Sequence, residues 1–409
     1  MTSVVGPLGK PSPHPVVFLV LVTPFGVMSG YLTVALTYLL SKAGLSVEEI
    51  ASLIFVSFLP QTWKFLWAPV PDTTLSRKTW YLIAAVTSAL GIYAMGVVPA
   101  MPKYLTVLYA VVFVSNVAST FLAMAVESLI VFSTPPNQHG RAGGWYQAGN
   151  LGGGGIGGGL GLWLAQNLAE PWMAGAILAV LCMACAVGLF FVAEPEPADR
   201  SQRYVVRLVT LAKDLWTVVR SRLGVLAALI CLLPIGSGAA SGLWSALADD
   251  WHASANTVAL VNGVLGGVIS AIGCLVGGYI SDRIDRKTGY ALYGVLQALC
   301  AIAMALAPRT EAMFAIFTLL YAFIAGLTYA GFSALVLEAI GLGAAATKYN
   351  VLASLANMPI AGMTLVDGWA QNRFGTSGML YVEAACGVAG ILIYLGAAAV
   401  RIKRVAVAL

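Results

Sequence analysis

Charge is what this sequence has least of. Lys, Arg, Asp and Glu together make up 10% of its 409 residues, against about 25% in a soluble domain. A water-soluble fold of this size needs a charged shell that this chain does not possess. Histidine is scarcer still: His14, His139 and His252 are all there is, and each falls in a predicted loop or tail. There is no H-E-x-x-H, no G-x-S-x-G and no His/Cys cluster, so the residue patterns of metal and hydrolytic centres are missing. Neither a metal site nor a cofactor is expected, and a polytopic membrane enzyme remains only as the alternative of a different class. All six cysteines sit inside apolar runs, leaving no loop cysteine for a disulfide. Cys182-x-x-Cys185 is read as two small buried side chains rather than a redox pair. The net charge of +5 is not gathered in one patch, which argues against a nucleic-acid partner.

What is present is apolar length. Hydrophobic residues are 59% of the chain and the mean hydropathy is +0.87. A helix that crosses a bilayer needs about 20 mostly apolar residues. Twelve such runs are predicted, numbered in chain order: 16–40, 47–68, 79–99, 104–131, 142–167, 171–193, 223–247, 255–280, 288–307, 311–339, 346–370 and 376–400. The lipid bilayer is therefore an obligatory partner. With both termini inside, Lys42, Lys103, Arg309 and Arg373 are the only basic residues left outside, out of 22. That bias predicts an N-in, C-in topology. The expected fold is all-α and integral to the membrane. It has two six-helix bundles, 1–193 and 223–409, joined by a cytoplasmic linker, 194–222. The linker interleaves bases with Val205, Val206, Leu208, Val209 and Trp216, a pattern shared by an amphipathic helix on the membrane surface and by a solvated connector.

The two halves carry matching marks. Ala68-Pro-Val-Pro-Asp72 followed by Arg77-Lys78 stands between helices 2 and 3. Gly278-Tyr-Ile-Ser-Asp282-Arg283 followed by Arg286-Lys287 stands between helices 8 and 9. Phe121-x-Ala123-x-x-x-Glu127 on helix 4 matches Phe332-x-Ala334-x-x-x-Glu338 on helix 10, 211 residues apart, and the aspartates are 210 apart. Two features sharing nearly one offset indicate an internal duplication. The Gly-x-x-x-Asp-Arg-x-x-Arg-Lys loop resembles the signature of the major facilitator superfamily, which implies a 6+6 pseudo-symmetric fold. In that family the loop charges help close the cytoplasmic gate. Glu127 lies about 36 Å along helix 4 at 1.5 Å per residue, level with the loop. Asp72, Arg77 and Glu127 are thus expected to form one latch, and Asp282, Arg283, Arg286 and Glu338 the other. Proton carriage by Glu127 and Glu338 is the competing reading, because acids in membrane helices often relay protons.

A narrower resemblance rests on Lys64-Phe65-Leu66-Trp67-Ala68-Pro69-x-x-Asp72, on Pro135-Pro136 and on Lys348-Tyr349-Asn350-Val351-Leu352-Ala353-Ser354-Leu355. It is similar to the AmpG-type muropeptide permease and acetyl-CoA transporter branch. Departures stand at Ile130 and Phe132, where that branch carries Arg and Asp, and at Lys348, where glutamine is usual. The resemblance implies a monomeric secondary transporter of a bacterial-type inner membrane. It implies alternating access and proton-coupled import of a polar, sugar- or peptide-containing small molecule such as a muropeptide. A siderophore or an acyl-CoA-type solute is the alternative cargo.

In such a fold the substrate-binding candidates are Tyr31, Gln61, Lys64, Asn116, Tyr146, Gln147, Asn150, Trp244, Asn262, Tyr329, Asn350 and Asn357. Any one of them equally suits a helix–helix hydrogen bond. As a set they suit a ligand with both donors and acceptors. Asp367 joins Glu127 and Glu338 as a proton-coupling candidate, although it is expected near the outer end of helix 11. Glu383 is placed near the far end of helix 12. The run Gly152–Gly159 is not a nucleotide loop, since no strand precedes it. It is expected to let helix 5 approach the glycines of helix 8.

Overall fold

The computed structural model describes residues 13–67, 70, 74–99, 101–135, 139–193, 206, 209, 212, 213, 216, 229–281, 283–340 and 351–406. The described elements are helical. They are α1 Val16–Lys42, α2 Val47–Trp67, α3 Arg77–Val97, α4 Leu105–Ser133, α5 (139–167), α6 Trp172–Phe191, α7 (the broken segment 229–251), α8 Ala255–Ser281, α9 Arg286–Leu306, α10 Glu311–Ile340, α11 (357–374) and α12 (376–406).

Among the described residues nine helices are long and apolar enough to cross a membrane. The difference from the expected twelve has physical reasons. Residues 351–397 run as one helical stretch of 47 residues, about 70 Å of helix against a hydrocarbon core of about 30 Å. Gly375, at φ 68° and ψ −178°, breaks it into α11 and α12. α5 is too rich in glycine to count as apolar. The expected helix 223–247 is corrected where it is described: 229–251 is not continuous helix. Pro234 brings no N–H, Gly236 and Gly238 take left-handed φ of +56° and +69°, and only short 3-10 turns, Ala239–Leu243 and Ala248–Trp251, follow.

Helix starts are fixed by caps that are legible as polar residues. Ser46 and Glu49 form a reciprocal box at α2, Ser46 N–H donating to Glu49 Oε2 at 2.8 Å and Glu49 N–H to Ser46 Oγ at 3.3 Å. Ser76 accepts from Thr79 N–H at 3.2 Å before α3, and Asp285 from Thr288 N–H at 2.9 Å before α9. Large apolar side chains are widely exposed, Phe190 at 86% and Leu275 at 76% among them, as a lipid-facing surface requires.

The chain divides into two compact units. The first comprises Met1–Leu45, Leu66–Leu208 and Ser254–Val268; the second comprises Ser46–Phe65, Val209–Ala253 and Ile269–Leu409. Most of α2 and the second half of α8 thus belong to the second unit, and the first half of α8 to the first. In the first unit α1 and α5 meet backbone to backbone. A Cβ on Gly26 or Gly30 would run into the main chain of Asn150 or Gly154. The expected approach of helices 5 and 8 is there too, with Gly263 seated on the backbone of Gly159 and Val264 3.5 Å from where a Gly155 Cβ would stand. In the second unit Gly273 and Gly277 of α8 lie on Phe323 and Leu327 of α10, and Asn372 of α11 donates to Glu48 of α2 at 2.7 Å. Within the linker, Val206, Val209 and Trp216 are helical and exposed.

Candidate functional site

The second unit holds a cavity of about 210 Å3. α2 supplies Lys64 to its wall, α7 supplies Ile230 to Ser237, α9 Tyr290, α10 Thr328, Tyr329 and Phe332, and α11 Asn357 and Ile360. Lys64 reaches the wall because it is one turn from the end of α2. Tyr329 is 56% exposed, an aromatic phenol presented to whatever enters. Asn357 lines the cavity too, and its Nδ2 donates to Ala353 O at 3.2 Å. Among the described residues the wall therefore combines the Lys64 cation with donors, acceptors and aromatic surface.

The break in α7 shapes this wall. Pro234 removes one backbone donor, and the left-handed Gly236 and Gly238 turn the chain so that Gly236 and Ser237 face the cavity. Tyr290 pins the break, its hydroxyl donating to Ile235 O at 3.3 Å. The same device occurs in the first unit, where Tyr81 donates to Leu21 O of α1 at 2.9 Å. Ser76-Arg77-Lys78-Thr79-x-Tyr81 and Asp285-Arg286-Lys287-Thr288-x-Tyr290 are in fact copies 209 residues apart. This repeat is legible in the sequence as a cap, a basic pair, a threonine and a tyrosine, of which the loop marks take in only the basic pair.

Behind the break stands a buried acidic group. Glu383 of α12 accepts from the Tyr321 hydroxyl of α10 and from Ala240 N–H of α7 at 3.4 Å. Asp367 of α11 is fully buried and lies within electrostatic reach of Glu383. Gln297 of α9 is buried beside them, and Trp244 packs edge-on against Tyr321 at 5.2 Å. In the sequence Glu383 reads only as a residue near a helix end. Periodicity alone did not say that it faces inward.

The other predicted residues distribute as follows. Lys64, Tyr329 and Asn357 share the cavity. Tyr31 is buried in the first unit, its ring against Gly161 and its hydroxyl beside Gly96. Asn116 is buried and bonds Val112 O of its own helix at 2.9 Å. Asn150 donates to Gln147 at 3.3 Å. Gln61 and Asn262 are half-buried on α2 and α8. Tyr146 donates to Glu127 Oε1 at 3.1 Å. Arg77 is buried, donates to Ser128 Oγ and stacks 4.2 Å from the Phe132 ring. Arg283 lies 3.4 Å over the Tyr279 ring and donates to Tyr279 O at 3.0 Å. Arg286 is half-buried at the start of α9. Asp72, Asp282 and Asn350 lie outside the described residues, as does the side chain of Glu338.

The comparisons with known proteins agree with this architecture. Residues 16–364 match the family model of the Major Facilitator Superfamily. The chain is 24% identical over 396 residues to the anhydromuropeptide permease of Escherichia coli strain K12, covering 90% of this chain and 77% of that protein. The nucleoside transporter NupG superposes with a TM-score of 0.71 at 11% identity, covering 93% of this chain and 98% of its own. A POT family transporter in complex with a thioalcohol-conjugated peptide superposes with a TM-score of 0.70 at 11% identity, covering 93% and 94%. A bacterial homologue of the human lysosomal transporter Spinster, in an inward-facing and occupied conformation, gives 0.69 at 15% identity, covering 94% and 96%.

Proposed function

Because the chain belongs to the major facilitator superfamily, and is a multi-pass membrane transporter rather than an enzyme, we propose that it imports a muropeptide-like solute by alternating access, coupled to protons. The observation that carries this reading is the mixed wall of the second unit's cavity in a chain that aligns over 90% of its length with an anhydromuropeptide permease. A muropeptide offers sugar hydroxyls, amides and carboxylates. Lys64 is placed to meet a carboxylate with a charge-assisted bond. Tyr329 offers a stacking face to a sugar ring, and Asn357 an acceptor to an N–H or O–H. About 210 Å3 is below the roughly 300–1,000 Å3 of a site that encloses a drug-sized ligand. This wall therefore holds one sugar-sized moiety rather than a whole disaccharide-peptide.

The same reading places both termini inside a bacterial-type inner membrane, with twelve spans in two bundles of six and a monomer as the working unit. Asp72, Arg77 and Glu127, and Asp282, Arg283, Arg286 and Glu338, act as paired cytoplasmic latches. The burial of Arg77 against Ser128 and Phe132 supports a structural rather than a solute-binding role for it. The test is uptake into proteoliposomes containing the purified protein. Labelled anhydromuropeptide should accumulate when an inward proton gradient is imposed. Accumulation of a ferric siderophore or an acyl-CoA in its place would reassign the cargo, and uptake of none of the three would refute the reading.

A further inference from the structure

Among the described residues, three carboxylate oxygens are buried in the second unit without a hydrogen-bond partner: both of Asp367 and Oε2 of Glu383. Burying an unpaired carboxylate is expensive unless it is protonated or binds a cation. Groups face the pair from several helices, and α2 packs on α11 beside Asp367, where a Cβ on Gly368 would meet Ala51 and the backbone of Glu48. α7 gives the N–H of Ala240, α9 gives Gln297 and Cys300, α10 gives Tyr321, and α12 itself adds Cys386. No lysine or arginine is among them in the described residues. Tyr321 and Ala240 both donate to Oε1 of Glu383, which favours a negative charge on that residue. Two like charges side by side in a water-poor interior repel each other, so such a pair favours holding one proton over losing both.

The pair also has a connection to the cavity. A second, much smaller void of about 10 Å3 is lined by Glu383, Gln297, Gly236 and Ser237. That is about the space one water needs. Gly236 and Ser237 line the larger cavity as well, so the broken segment of α7 has the solute site on one side and the carboxylates on the other. A discontinuous membrane helix with freed backbone groups at an ion site is a recurring way to tie ion binding to a solute site.

We propose that Asp367 and Glu383 together form the proton-carrying site of this transporter, holding one proton between them, and that its binding and release act on the cavity through the α7 break. This rests on the transport reading above. On protonation one O–H bond forms on a carboxylate oxygen, and on release the proton leaves to water while the electron pair stays on that oxygen; no other bond changes. With both carboxylates ionised, the donors Tyr321 and Ala240 are drawn more strongly toward Glu383, and Ala240 takes the wall of the cavity with it.

The test uses the purified full-length protein in proteoliposomes as wild type, Asp367→Asn, Glu383→Gln and Tyr321→Phe. Infrared difference spectra between acid and alkaline medium need no solute. The wild type should show a protonated-carboxyl band that Asp367→Asn and Glu383→Gln each lose or shift, and Tyr321→Phe, which keeps both acids, should move the pH at which the band disappears. In uptake, the first two variants should fail to concentrate anhydromuropeptide under a proton gradient while solute counterflow, which needs no net proton step, remains measurable. If the wild type counterflows none of the solute but shows the band, the cargo assignment fails and the proton site stands. The proposal is overturned if neither substitution alters the band, if both variants concentrate solute as the wild type does, or if a sodium gradient replaces the proton gradient.

Discussion

Gly26 on α1 and Gly152 on α5 make a matched pair for testing how the first unit is held together. A Cβ placed on Gly26 collides with the carbonyl oxygen of Asn150 and stands 2.8 Å from the nitrogen of Gly154, whereas a Cβ on Gly152 meets nothing within 4 Å. The obstacle at Gly26 is backbone, which has no rotamer to give. Replacing either residue by alanine recovers about 0.5–1 kcal/mol of helix propensity, and this gain cancels when the two variants are compared. What remains is the cost of prising α1 off α5. Restoring ordinary contact requires a retreat of the order of 1 Å, and a gap of about that size forfeits roughly a quarter to a half of the dispersion attraction across the seam. Overpacking of this kind costs about 1–3 kcal/mol. Gly26→Ala is therefore expected to be less stable than Gly152→Ala by that amount, measured by equilibrium unfolding in mixed micelles with tryptophan fluorescence. Two variants that agree within about 0.5 kcal/mol, the range of a neutral surface change, would show that backbone contact between α1 and α5 does not hold this unit together.

Three further outcomes follow from the second unit. Lys64→Gln removes the cation from the cavity wall and should weaken binding of an anionic muropeptide by about 1.5–3 kcal/mol, the worth of a charged hydrogen bond, while an analogue with its carboxylates amidated binds the two proteins alike; titration calorimetry reads both. Tyr290→Phe and Tyr81→Phe each delete a hydroxyl that holds a backbone carbonyl and should each cost about 1 kcal/mol, but only Tyr290→Phe should also change solute affinity, because only Tyr290 lines the cavity. Asp285→Ala removes the cap of α9 and should cost about 1 kcal/mol at neutral pH. The Thr288 N–H and O–H hold the Asp285 carboxyl below the ordinary aspartate value, so its contribution is complete above that value and is lost as pH falls through the lower folded one; thermal melts should show the gap between variant and wild type closing in acid.

The membrane fold was legible because two strong regularities wrote it into the chain. Lipid demands long apolar helices, and the asymmetry of Lys and Arg gives them an expected direction. The start of α2 was equally open to reading, since Ser46-x-x-Glu49 is a capping box that local chemistry fixes. The break in α7 was not, although Pro234, Gly236 and Gly238 stand in plain view. The apolar run from 223 continues across them, and a hydropathy window averages over a proline that a soluble sequence would treat as a stop. The candidate site was less legible for a related reason. The sequence points to Lys64, Tyr329 and Asn357, but equally to Tyr31 and Asn116, which the fold buries among helices. In a membrane helix both the lipid face and the core face are apolar, so the 3.6-residue period that separates inside from outside in a soluble helix carries little signal.

Glu383 shows where that loss of signal matters most. In a soluble helix Met379, Leu380 and Cys386, which share its face at i−4, i−3 and i+3, would have marked an apolar stripe, and an acid within it would have stood out. On α12 the stripe extends all round, and the acid was assigned to a helix end by counting residues. What identifies it instead is the set of groups that converge on it from other helices: Tyr321 from α10, Ala240 from the α7 break, and Asp367 from α11. Lipid tolerates an acid in two ways, by letting it reach the interface or by burying it with partners. A side chain 6% exposed has taken the second route. The cost of that route is borne by α7, whose main chain must open to offer the N–H of Ala240. The break in α7 and the acid on α12 thus explain each other, and the wall of the cavity is irregular because its backbone serves a carboxylate on its other side.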